Sequence, residues 1–290
     1  MTALYEPQVL VDGLAYVESP RWHDGRLWFS HWGREEVLAV DLDGTCEVVA
    51  PGRQGMGWAT AWLPDGRLLV TGETLLRREP DGSFVQHADL TGVTGRTGAY
   101  PGACDEIVVD GRGNVYVNSI EFDFLGGGEP DAGIIVLVTP DGSVRQVAGD
   151  LVFPNGMVVT PDNATLIVGE SFAGRLTAFD IADDGSLTNR RTWADRVGPD
   201  GITMDAQGAI WASSRPMAND CVRILEGGEI SHRIELDRSC FACMLGGPDR
   251  RTLFMLTAEW AGTENVDEQL DRRTGRIYVA DAEVPGAGWP

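Results

Sequence analysis

The stretch Phe153-Pro154-Asn155-Gly156-Met157-Val158-Val159-Thr160-Pro161-Asp162 decides how the chain is read. It places an amide side chain at a Pro/Gly bend, runs into a short apolar strand and ends in a Pro-Asp turn. The phrase recurs. Val197-Gly198-Pro199-Asp200-Gly201-Ile202-Thr203-Met204-Asp205 carries a carboxylate in place of the amide, and Val17-Glu18-Ser19-Pro20-Arg21-Trp22-His23-Asp24-Gly25 carries another. Asn155, Asp200 and Glu18 therefore share one repeat position, and repeats set around an axis must bring them together.

Working outward, turn signals followed by short apolar runs begin at Asp24, Asp65, Asp110, Asp162, Asp205 and Asp249. Their spacing of roughly 40–50 residues matches four strands per unit, the signature of a propeller. No long segment carries a stripe of helical period. These observations predict an all-β, six-bladed β-propeller with four antiparallel strands per blade, as a single domain over residues 1–290. The first unit begins near Pro20 and runs through the hairpin at Asp24-Gly25 to residue 50; the others cover residues 60–89, 105–150, 156–195, 201–236 and 243–282. A strand at residues 8–11 is expected to join the last blade from outside and close the ring. Residues 126–128 and 259–269 read as long loops.

Composition narrows the function. With 43% hydrophobic residues the chain can bury a substantial core, and its net charge of -21 makes nucleic acid and anionic membrane poor partners. No apolar run approaches a membrane span, and the first eight residues lack the basic-then-apolar layout of a signal peptide, so a cytoplasmic protein is expected. Five cysteines without a secretion signal argue against a disulfide framework. Cys240 and Cys243 form a lone C-x-x-C, read as a partly buried pair beside the last inner strand rather than a zinc or redox site.

In a propeller the inner strands run along the central channel, so the residue preceding each faces the channel mouth. Aligned on their turns, the units place Glu18, Trp58, Cys104, Asn155, Asp200 and Ala242 there. Asn155 or Asp200 alone is explained as a turn residue before a glycine; Glu18 has no such role. Two carboxylates and an amide oxygen, without His or Cys, form a hard-oxygen set that favours one divalent metal ion. Ca2+ comes first, with Mg2+, Mn2+ or Zn2+ as replacements. Loops joining second to third strands return to the same mouth. They carry His31 and Trp32, Glu73, Asn118 with Glu121 and Asp123, Glu170 with Ser171 and Phe172, residues 215–219, and Glu259 with Trp260. Among these, His31 suits proton shuttling or packing, and Glu170 suits the rim or support of the metal donors.

Glu18-Ser19-Pro20-Arg21-Trp22, Phe153-Pro154-Asn155-Gly156, Pro199-Asp200-Gly201 and Cys243-Met244-Leu245-Gly246-Gly247-Pro248-Asp249 with Thr252-Leu253-Phe254 resemble the senescence marker protein (regucalcin), gluconolactonase and luciferin-regenerating enzyme family. The resemblance runs through the whole chain. It implies a propeller that binds one divalent metal through Glu18, Asn155 and Asp200 and hydrolyses lactones of sugar acids, with Asp200 also acting as base. Members active on sugar lactones usually carry Arg-x-Asn-Asp in the third unit, whereas this chain reads Gly102-Ala103-Cys104-Asp105. Cys104 then reads as a small filler, and lactone or related ester hydrolysis is a firmer expectation than a sugar substrate. Trp58, Trp32 and Phe172 are expected to shape an apolar wall, and Cys104, His31, Asn118, Glu121 and Glu170 complete the candidate substrate contacts. The alternatives are a lyase, cyclase, isomerase or condensing enzyme using the same channel, or a metal-binding propeller without turnover.

Overall fold

The turns close as their sequences require. Asp65, Asp110, Asp162, Asp205 and Asp249 each accept, through a carboxylate oxygen, the backbone N–H two residues on, which folds the chain back on itself. At Asp24-Gly25 both residues are left-handed, φ 49° and 75°, the geometry of a two-residue hairpin turn. In this computed structural model, which describes residues 5–72, 74–94, 104, 106–124 and 127–288, these hairpins build a six-bladed β-propeller of four-stranded antiparallel sheets.

The first blade is Val17–His23, Arg26–His31, Glu36–Val40 and Cys46–Pro51, and the second runs from Thr60–Trp62 to Phe84–Asp89. The third and fourth begin at Ile107–Val109 and Pro154–Val159, and the fifth at the two-residue strand Thr203–Met204. The sixth has Ser239–Gly246, Thr252–Ala258 and Gly275–Asp281, and Gln8–Leu14 pairs antiparallel with Gly275–Asp281 as its outermost strand. Each innermost strand touches its neighbours on either side, from the first blade round to the sixth and back to the first. The inner strand Pro154–Val159 is buried along its whole length, while the outer Gln8–Leu14 is exposed or half-buried at every position but Leu14. The core consequently lies between blades; Val108, Tyr116 and Leu137 of the third pack on Met157, Val159 and Leu166 of the fourth.

Two expectations need correction. Glu18, Asn155 and Ala242 do not precede their inner strands; they lie inside them, each at a bulge that breaks register, between Glu18 and Arg21, between Pro154 and Met157 and between Cys240 and Ala242. A bulge turns the local side chains out of strict alternation, which is how a residue within a buried strand faces the channel mouth. The stretch at residues 259–269 is not wholly loop. It holds a 3-10 turn, Thr263–Asn265, and most of a short helix, Val266–Asp271, that packs on the turn Trp32–Arg34. Acidic Asp267 and Glu268 favour its N-terminal turn, and Arg272 pairs with Glu268 four residues earlier. No helix among the described residues is long and apolar enough to cross a membrane.

Candidate active site in the channel mouth

Three inner-strand entries meet at the mouth through backbone contacts made possible by glycine. Gly156 N–H donates to the Asp200 carbonyl at 3.1 Å, and Gly201 N–H donates to the Phe241 carbonyl at 2.8 Å. A Cβ on Gly156 would lie 2.5 Å from that Asp200 oxygen, and one on Gly201 would collide with Ala242. The glycines after Asn155 and Asp200 are thus the reason the fourth, fifth and sixth blades approach closely here.

Glu18, Asn155 and Asp200 line one cleft. The Asn155 side chain hydrogen-bonds the Asp200 carboxylate, and Glu18 accepts the Ser19 N–H at 2.7 Å. Burial first, and the charge of Glu106 second, push the Asp200 carboxyl up to about 8; the bonds from Asn155 and the Gly201 N–H act in the opposite direction. Among the described residues no group of three or more His, Cys, Asp or Glu is placed to hold a metal ion. Any cation here therefore needs the Asn155 amide beside the two carboxylates.

Glu106 is the residue that sequence reasoning missed. It is buried, takes a hydrogen bond from Ser19 Oγ at 2.6 Å and pairs with Arg21 Nη2 at 2.8 Å. Arg21 also donates to the Pro20 and Ile107 carbonyls. Asn118, read as a substrate contact, instead braces this centre from behind. Its Oδ1 accepts the Glu106 N–H at 2.8 Å, and its Nδ2 donates to the carbonyls of Pro154 and Asn155 at 2.7 and 3.1 Å.

Of the other sequence candidates, Trp32 and Phe172 line the cleft, as do Ser171 and Trp260 from the expected loops. Trp58 stands behind the wall, its carbonyl accepting the Trp32 indole N–H at 2.7 Å. Cys104 is buried in an apolar cluster with Ala59, Leu69 and Ile107. His31 is outside the lining. Its Nε2 accepts the Ala15 N–H at 3.0 Å, Nδ1 lies 3.3 Å from Glu36, and burial lowers its pKa against the opposing effect of Glu36.

Glu170 is likewise turned away, held by Arg175, Thr177 and the Val152 N–H. Burial pushes its carboxyl up, but those donors prevail and keep it below the ordinary range. Glu121 is half-buried and outside the lining, as are exposed Asp123 and Glu259, and Glu73 lies outside the described residues. None of the five cysteines is in a disulfide. Cys240 and Cys243 are fully rather than partly buried, on the last inner strand itself, beside Cys221, whose thiol is pushed well up by burial first and by these two neighbours next.

The lining also contains Tyr16, Met56, Phe153 and Gly198. Each stands two residues before a member of the aligned series, Glu18, Trp58, Asn155 and Asp200. That offset of two was visible in the sequence and marks a second ring of positions on the mouth.

Fold and site together define a six-bladed propeller with an oxygen-donor cleft on its axis. The profile described as SMP-30/Gluconolactonase/LRE-like region matches residues 16–259, and the chain belongs to that family. It is 24% identical over 196 residues to a pentonolactonase of Haloferax volcanii, covering 64% of this chain and 65% of that one. It is 25% identical over 167 residues to a 6-deoxy-6-sulfogluconolactonase of Pseudomonas putida, covering 55% and 56%. The matches thus span under two thirds of these relatives' length. A solved structure of a calcium-binding regucalcin from Agrobacterium tumefaciens shares the fold, with a TM-score of 0.77 at 21% identity over 100% of this chain and 97% of that one.

Proposed function

We propose that the chain hydrolyses lactones, cyclic carboxylic esters, in the cleft at the channel mouth with the help of one divalent cation, Ca2+ before Mg2+, Mn2+ or Zn2+. The observation that carries this reading is the lining of one cleft by Glu18, Asn155 and Asp200 from three different blades. The raised Asp200 carboxyl supports it, since a carboxyl that is buried first and crowded by Glu106 second favours an added positive charge. The donors are all hard oxygens, which fits Ca2+ better than a soft metal. Membership of a family with lactonase-named relatives points to the same reaction.

Glu18, Asp200 and the Asn155 amide would hold the cation. When bound, it supplies Lewis acidity toward the ring carbonyl and toward a water molecule. Asp200 would accept a proton from an attacking water as the water oxygen bonds to the acyl carbon. The ring C–O bond then breaks and the departing oxygen takes up a proton, so that one lactone and one water become one hydroxy acid. The Asn155 hydrogen bond fixes the direction of the Asp200 carboxylate, and the aromatic walls limit the access of bulk water.

The test is acid release from a lactone panel before and after dialysis against a chelator, with calcium added back. Loss on dialysis, recovery on addition, and a loss of about a hundredfold or more in Asp200→Ala are expected for a general base. Full activity without metal, or in Asp200→Ala, would overturn the reading.

A further inference from the structure

The cleft's walls narrow the substrate further, an inference that rests on the lactonase reading. The described aromatic residues that line the cleft form two separate groups. On one side Tyr16 stacks on Trp32, with ring centroids 5.6 Å apart and planes 6° from parallel, and Phe241 and Trp260 close against Tyr16. On the other, Phe153 stacks on Phe172 at 4.2 Å, and Phe124 meets both edge-on. Both groups line the same cleft. The cleft is therefore walled by two aromatic groups that share it with Glu18, Asn155 and Asp200. Phe172 remains 44% exposed, so an apolar group entering the cleft covers surface that water otherwise meets.

The wall has little to offer a hydroxyl. Besides Glu18, Asn155 and Asp200, the described lining offers the Tyr16 and Ser171 hydroxyls and the Trp32 and Trp260 indole N–H groups, and no Arg, Lys, His or Gln. Ser171 Oγ already donates to the Pro199 carbonyl at 2.7 Å, and the Trp32 indole N–H is committed to Trp58. A polyhydroxylated ring would lose water contacts there without replacing them, whereas an aromatic or alkyl substituent loses none. We infer that the site is selective for lactones bearing an aromatic or alkyl substituent. The substituent lies between the Tyr16–Trp32 and Phe153–Phe172 pairs, with the ester carbonyl toward Asp200.

Three probes separate the outcomes with the calcium-loaded full chain: glucono-δ-lactone, δ-valerolactone, and δ-valerolactone carrying a phenyl group. The expected order of kcat/KM is phenyl-substituted over unsubstituted over gluconic, each step about tenfold or more. Phe172→Ala, at an exposed position and checked for an unchanged melting profile, should shrink the phenyl-to-unsubstituted ratio about tenfold, chiefly through KM. Hydrolysis with glucono-δ-lactone preferred, or a ratio untouched by Phe172→Ala, would overturn the selectivity and leave the lactonase reading standing. No hydrolysis of any probe with any of the four metals would overturn the lactonase reading and this inference with it.

Discussion

Gly156 and Gly201 do as much for the site as the residues that carry its oxygens. The atoms facing the missing Cβ of Gly156 are backbone, the Asp200 carbonyl and the Ile202 nitrogen, and cannot swing aside. Gly156→Ala is expected to destabilise the chain by about 1–3 kcal/mol in urea unfolding and to abolish any calcium-induced rise in melting temperature. Glu106 is more costly to remove. Truncation to Ala would leave the Arg21 guanidinium buried without its counter-charge, at a cost of about 3–5 kcal/mol by the same measurement. The three oxygen donors were legible because they recur at one repeat position. Glu106 was not, because it occupies no such position and its partner Arg21 lies 85 residues away. Only ring closure makes them neighbours.

At the scale of elements, hairpin turns and short apolar runs identify the blades because each Asx turn fixes its own geometry within two residues. Two kinds of element escape such reading. Bulges at Glu18 and Asn155 leave no mark in composition, since they arise from how each strand meets its partner. The helix Val266–Asp271 has six residues, fewer than two full turns, too few for a periodic stripe to show. The closing strand was legible in place and partner. It brings Leu14 into the core, with Leu10 and Val11 packed against that cluster. Deleting residues 1–14 should therefore cost about 3 kcal/mol or more. It should also raise amide exchange along Gly275–Asp281, which loses the neighbour on one edge; exchange unchanged there would show that the strand is dispensable.

For the whole molecule, acidity is the dominant fact, with a net charge of -21. Several surface carboxylates are held below their ordinary values by local donors; Asp237 is lowered to about 2 by the Arg238 guanidinium first, with Tyr278 and Arg276 assisting. Asp12 and Asp65 are lowered in the same sense by Arg276 and Arg67. A carboxyl depressed in the folded state binds its proton more readily when unfolded, so its stabilisation is complete above the ordinary value of 3.8 and disappears as pH falls toward about 2. The melting temperature should fall across that window, less so in Asp237→Asn, although exposure of these pairs keeps each contribution small. Ring closure by the first strand also has a consequence for synthesis. Gln8–Leu14 leaves the ribosome long before its partner Gly275–Asp281 exists, and at ordinary translation speeds it waits on the order of 15 to 50 s with its edge unclaimed. The nascent chain must carry that idle ribbon past every other blade, and a chaperone or a neighbouring polysome product has that long to capture it.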